Sequence, residues 1–230
     1  MIKRICILMI AAFLMVIEAN AQDIKKDFAV IYQNYLQVPS YDLVLTTKSY
    51  LSAEDNKPTI ASGRMIKSGE NHYMEFGGQT LIRNEKEGLS LSLENRWIYY
   101  YDEKELGQIT SLDQYKSFLA QIENAQKVTY MGEANGIKKY AIDNEKGFIE
   151  RTEVFLDMQS KFVSKIIFYY KKSKEDDLVK NGYYQVVIDY QVKSLEKPMN
   201  TWFDLSKYII WVNGKITQTK PYANYKIINR

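Results

Sequence analysis

The sequence predicts an α+β fold, mainly antiparallel β: a strongly curved sheet or incomplete β-barrel covered by two amphipathic helices. Three observations carry this. Many short segments alternate apolar and polar residues, as Leu89-Ser90-Leu91-Ser92-Leu93 does. The connections between them are short turns, too short for parallel crossovers. Two other segments place apolar residues at helical spacing instead. A sheet of about ten or more strands curls or closes rather than staying flat.

The elements can be taken in order. Met1-Ile2-Lys3-Arg4 is a positive start, Ile5 to Ile17 is apolar and uncharged, and Ala19-Asn20-Ala21 puts small residues at a cleavage position. That is the order of a secretory signal peptide. The apolar run of about 13 residues falls short of the roughly 20 that a spanning helix needs. Residues 1–21 are therefore expected to be a signal peptide and 22–230 a single domain, with a subdomain break near Gly107 to Ser111 as an alternative. The one cysteine, Cys6, lies at the start of the apolar run. Lipidation at its end is not expected, and the mature chain has no thiol for a disulfide or a metal. No later stretch is apolar enough to span a membrane as a helix.

Ile24, Phe28, Ile31, Tyr32, Tyr35 and Leu36 form the stripe of a first helix, ended by Pro39. Strands are expected at 41–51, 59–67, 72–76, 79–83, 89–93 and 96–101, with a break or bulge at Gly77-Gly78. Leu89, Leu91 and Leu93 are expected on one face. Ser111 and Gln114 suit a capping box for a second helix, whose stripe is Leu112, Tyr115, Leu119 and Ile122 with Phe118 beside it. Strands resume at 127–131, 138–143, 148–157, 162–171 and 183–193, with a charged loop over 171–182. Asn213-Gly214 marks a last hairpin.

Composition and motifs exclude several classes. A net charge of +3 with both signs interspersed lacks the basic excess of a nucleic-acid binder. His72 is the single histidine, with no nucleophile elbow or spaced partner. One histidine and a mature chain without cysteine give transition metals few ligands. Glu175-Asp176-Asp177 reads as a solvated turn and Asp143 to Gly147 as a hairpin turn. No Gly-rich phosphate cradle is present, and no cofactor is expected. What stands out is aromatic: Trp97-Ile98-Tyr99-Tyr100-Tyr101 and Ile166-Ile167-Phe168-Tyr169-Tyr170 are apolar on both faces. Such strands suit a sheet with one packed face and one hollow face, where an acyl chain or other apolar ligand could lie.

The segment from Ser62 to Asp102 carries a resemblance. Gly63, Gly69, Tyr73, Phe76, Trp97, Tyr99 and Asp102 stand at places comparable to a hairpin returning with aromatics, a polar turn and a W-x-Y-D-like strand. The segment resembles the first half of the LolA/LolB-like lipoprotein-carrier superfamily. Two departures are the extra strand after Asn84 to Gly88 and a tail beyond Pro198. The resemblance implies an incomplete barrel closed by helices around an apolar cavity that shields acyl chains in the periplasm.

The sequence thus points to a non-enzymatic, exported carrier or binding protein for a lipid-like ligand, periplasmic or extracellular, and a monomer. Leu89, Leu91, Leu93, Trp97, Tyr99, Tyr101 and Phe168 are its expected lining. The alternative is a structural or interaction module of an envelope assembly, meeting a protein partner through Tyr183-Tyr184 or the tail from Tyr222 to Ile228. A hydrolase is a third reading, requiring acidic residues with a hydroxyl or His72 in one cleft.

Overall fold

The computed structural model describes residues 24–102, 105, 118–171 and 184–228. The expected leader, the start of the second helix, the break near Gly107 and most of the 171–182 loop lie outside the described residues. Among those described, the protein is mainly antiparallel β. Twelve strands are hydrogen-bonded in the order β14-β6-β5-β4-β3-β2-β1-β11-β10-β9-β8-β7, an open sheet with edges at β14 and β7. They are β1 (Ser40–Tyr50), β2 (Thr59–Ser68), β3 (Asn71–Phe76), β4 (Gln79–Arg83), β5 (Gly88–Ser92), β6 (Trp97–Tyr101), β7 (Lys127–Ala134), β8 (Ile137–Asp143), β9 (Ile149–Asp157), β10 (Phe162–Tyr170), β11 (Gln185–Ser194) and β14 (Lys226–Ile228). A separate hairpin pairs β12 (Ile209–Val212) with β13 (Lys215–Gln218). Helix α1 covers residues 24–37, and α2 is described over 118–123.

The chain divides into two compact units. Unit 1 comprises Met1–Gln37, Lys48–Thr59 and Tyr115–Asp189; unit 2 comprises Val38–Thr47, Ile60–Gln114 and Tyr190–Arg230.

In unit 1, α1 packs on the sheet. Ile24, Asp27 and Ile31 are buried on it, and Tyr35 meets the Phe162 ring edge-on at 4.9 Å. Leu36, assigned to the stripe by the sequence, is 42% exposed; the buried positions 24, 27 and 31 and the half-buried 28 and 35 follow the 3.6-residue turn and pass it by. Phe28 stacks on Phe118 of α2 with centroids 3.7 Å apart, and Lys25 pairs with Glu123 at 3.1 Å. The face bearing Tyr140 also carries Val154 and Ile166 in register. The opposite face is a charged ladder: Glu153 takes Lys139 at 2.8 Å and Arg151 at 3.1 Å, and Asp189 takes Lys165 at 3.2 Å.

Unit 2 is a meander whose turns explain its register. Gly77 and Gly78, expected as a break or bulge, form the two-residue turn between β3 and β4, both at positive φ, which suits the twist of a hairpin. The Asn84 side chain accepts from the backbone N–H of Lys86 and Glu87 and so shapes the next turn. Asn213 and Gly214, at φ 49 and 74, turn the tail hairpin. One pairing is parallel in this mainly antiparallel sheet: β14 runs parallel to β6, with Lys226 opposite Trp97 and Ile228 opposite Tyr99. The chain between them, from β7 through β13, supplies the long connection that a parallel pair needs.

Candidate functional site

The register of unit 2 sorts its side chains into two faces. On the first, Ile66, Tyr73, Ile82, Leu89, Leu91 and Ile98 form a core with Phe203, Leu205 and Ile209 of the tail, while Trp202, Tyr208 and Tyr222 pack beside them. This face is full. Leu89 is 0% and Leu91 1% exposed. Tyr73 meets Trp202 edge-on at 5.0 Å, and Arg64 lies 4.5 Å over the Trp202 ring while forking onto Asp42 at 2.6 and 2.9 Å. Tyr100 donates to Glu87 at 2.9 Å; burial, then that bond, pushes its phenol far above the usual range.

The second face is different. Its residues stand in rows across β2 to β6. One row reads Lys67, His72, Arg83, Gly88 and Tyr101; the next reads Met65, Met74, Leu81, Ser90 and Tyr99. A third continues with Phe76, Gln79, Ser92 and Trp97. Met65, Met74, Leu81, Trp97, Tyr99 and Tyr101 are all half-buried. Trp97 meets Tyr99 edge-on at 5.0 Å, and Tyr99 stacks on Tyr101 at 6.1 Å. Gly63 makes room for Phe76, since a Cβ there would sit 2.7 Å from its ring. Asp42 reaches Arg64 on the filled face, so alternation puts Tyr41, Leu43 and Leu45 of β1 on the second face, where they are buried.

The row at the end of this face is cationic. Lys67 is buried and donates to the Val38 carbonyl at 2.9 Å. Burial lowers its ammonium below the ordinary lysine range, against a smaller upward pull from Glu70. His72 lies between Lys67 and Arg83. Burial first, then those two cations, push it down to about 4, opposed by Glu70.

The seven residues singled out in the sequence therefore divide. Trp97, Tyr99 and Tyr101 share the half-buried face. Leu89 and Leu91 lie on the opposite, filled face. Leu93 falls beyond the end of β5 and is 51% exposed, a departure from three leucines on one face. The Ser92 hydroxyl accepts from the Asn95 backbone N–H at 3.2 Å and turns the chain here, so Leu93 makes one last backbone bond, to the Gly78 carbonyl at 2.9 Å, with its side chain exposed. Phe168 belongs to unit 1, opposite Thr152 and Val186, half-buried on the face that carries Tyr140. Met65, Met74, Leu81 and the basic row were not singled out. Turn counting would have found them. Pairing outward from Gly69-Glu70 sets Lys67 against His72 and Met65 against Met74, and pairing outward from Gly77-Gly78 adds Arg83 and Leu81.

No group of three or more His, Cys, Asp or Glu suited to a metal occurs among the described residues, and no described helix is long and apolar enough to cross a membrane.

No family model matches the chain, and no curated protein matches it. Solved structures similar to it include a LolA superfamily protein from Nitrosomonas europaea, at 9% identity and TM-score 0.32 over 80% of this chain and 97% of that one. An uncharacterized conserved protein from Thermus thermophilus shares 10% identity at TM-score 0.47, over 90% of this chain and 99% of the other. MucB, in the Pseudomonas aeruginosa MucA/MucB complex, shares 9% identity at TM-score 0.43, over 79% of this chain and 60% of that one.

Proposed function

We propose that this chain is an exported, non-enzymatic carrier or binding protein for a lipid-like ligand, which lies on the half-buried face of unit 2. The observation that supports the reading is the contrast between the two faces of one sheet. The tail fills one with core side chains. The other keeps Met65, Met74, Leu81, Trp97, Tyr99 and Tyr101 half-buried, with methionine supplying an adaptable surface and the tyrosines a polar handle. Contiguous apolar surface of this kind marks a ligand or partner site. The leader expected from the sequence supports export, and the periplasm is the compartment proposed here. Trp97, Tyr99 and Tyr101 remain in the proposed lining, joined by the two methionines and Leu81.

The test is native mass spectrometry of the mature protein purified gently from its envelope fraction, followed by lipid extraction. Near-stoichiometric acyl species are expected. A clean apo mass with no extractable lipid would overturn the reading.

One observation favours the alternative of a protein-interaction module. Ile210, Trp211 and Val212 on the β12–β13 hairpin are exposed, Trp211 at 58%. A stable envelope partner lost on Trp211→Ser would shift the reading to that module.

A further inference from the structure

We propose that the β12–β13 hairpin docks this protein on the surface of a bilayer bearing anionic phospholipids, with Ile210, Trp211 and Val212 seated in the interface and the lysines of the tail facing the head groups. This goes beyond the carrier reading and stands on a different part of unit 2. It uses the tail beyond Pro198, which the resemblance to the carrier superfamily does not cover.

The hairpin is a short ribbon with apolar side chains on both faces. Ile209 is buried in the core. Trp211, two residues on, shares its side of the strand and meets Tyr100 edge-on at 5.9 Å. Ile210 and Val212 therefore point away from the core, with Thr217 and Lys215 opposite them on β13. Ile210, Trp211 and Val212 are all exposed, Trp211 the most. An antiparallel pair with one solvated face ordinarily turns polar residues to the water. Here the outward face carries an isoleucine and a valine, and the tryptophan on the inward side still shows more than half of its surface. A groove on a protein partner would cover one face of such a ribbon, whereas a bilayer interface surrounds its tip on both. Tryptophan suits that level, because its ring is apolar and its N–H can reach the head groups.

The charge of the tail fits the same surface. Residues 200–230 hold five basic side chains, Lys207, Lys215, Lys220, Lys226 and Arg230, against one acidic, Asp204. That excess of four is larger than the +3 of the whole chain, so the remainder of the sequence is slightly acidic. Lys215 stands at the tip of the ribbon, opposite Val212. Lys207 and Lys220 stand at its base, where the Thr219 hydroxyl donates to the Lys207 carbonyl at 2.7 Å. Lys226 is on β14, which lies against β13. All four lysines are exposed. Lys207 donates to the Thr201 carbonyl, which leaves its charge uncancelled. No ion pair to Lys215, Lys220 or Lys226 occurs among the described residues. Such lysines can lay their methylene stems along apolar surface and keep the ammonium at the phosphates. Apolar side chains ringed by basic ones are the composition of an interfacial anchor.

The experiment is flotation of the mature full-length protein with vesicles of phosphatidylglycerol and phosphatidylcholine in equal parts, and with vesicles of phosphatidylcholine alone. The protein is expected to float at least about tenfold better with the anionic vesicles at low salt, and to be released as rising ionic strength screens the lysines. Lys215→Gln should weaken partition about fivefold, the contribution of one lysine near an anionic surface. Trp211→Ser should abolish flotation, and Trp211→Phe should restore most of it. Because Trp211 is exposed, both variants should keep the unfolding midpoint of the parent. Trp211→Ser should also retain co-purified lipid in native mass spectrometry as the parent does, which separates this proposal from the carrier reading. Flotation of Trp211→Ser equal to the parent would put the contact elsewhere and overturn the proposal. Equal flotation on both vesicle types, or none on either, would overturn it as well and leave the carrier reading standing. An envelope protein captured through Trp211, with no vesicle bound, would make the hairpin a protein-docking surface instead.

Discussion

The Tyr140 hydroxyl donates to the Asp27 carboxylate across 2.5 Å, and Lys138 reaches the same oxygen at 2.8 Å. The bond ties α1 to β8 inside unit 1, with Asp27 and Tyr140 both buried. A buried carboxylate needs such partners, because an uncompensated one is costly. Tyr140→Phe is expected to lower unit 1 stability by about 1.5–3 kcal/mol, the range for a hydrogen bond to a charged group. Urea unfolding checks it, through a lower midpoint at an unchanged slope.

The two faces of unit 2 predict opposite outcomes for one kind of substitution. Leu81→Arg, on the half-buried face, should leave the circular dichroism spectrum and unfolding midpoint near those of the parent while lipid retention falls at least about tenfold. Leu91→Arg, in the filled core, should prevent folding, since a buried charge without a partner costs several kcal/mol. Binding that survives Leu81→Arg would move the site off this face.

Gly63 has no space for a methyl group. A Cβ there would come within 2.6 Å of the Glu75 carbonyl and 2.7 Å of the Phe76 ring. The backbone contact cannot be relieved by a rotamer change. Gly63→Ala is expected to destabilise the β2–β3 hairpin by about 1–3 kcal/mol, as overpacking does. Hydrogen exchange of the β3 amides should quicken before that of β8.

His72 makes stability depend on pH. Its folded value of about 4 lies below its ordinary 6.5, so the unfolded chain takes up a proton first as the solution is acidified. The contribution is whole above pH 6.5, is lost as pH falls from there towards 4, and changes no further below 4. Lys67 and Arg83 drive it in the same direction as burial, and Glu70 works against it. Unfolding midpoints at pH 7 and pH 4.5 should therefore drop further in the unsubstituted protein than in His72→Gln. Equal drops would show that His72 is protonated as easily folded as unfolded.

The period of the side chains made much of this fold legible. Tyr41, Leu43 and Leu45 alternate because one sheet face is buried, and they are buried as their period required. Asn84, Asp157 and Asn213-Gly214 mark turns by chemistry local to a few residues: Asp157, for example, accepts from the backbone of Gln159 and Ser160. Such signals are carried within a single hairpin and need no distant partner. Asp27 was invisible for the opposite reason. A charged residue in an apolar stripe reads as solvent-facing until Lys138 and Tyr140, more than a hundred residues away, are brought to it.

The candidate site divides along the same line. By itself, the sequence determined that Trp97, Tyr99 and Tyr101 share a face, and that Ile98 and Tyr100 share the other, because alternation in a strand is a local property. It could not determine which of those faces the tail fills, since both are apolar. Only the tertiary structure decided that. The tail from Asn200 to Ile228 folds back, lays Phe203, Leu205 and Ile209 over Leu89, Leu91 and Ile98, and leaves the Trp97 face half-buried. Which of two equally hydrophobic surfaces is filled depends on contacts separated by about a hundred residues, and no pattern within either segment encodes it.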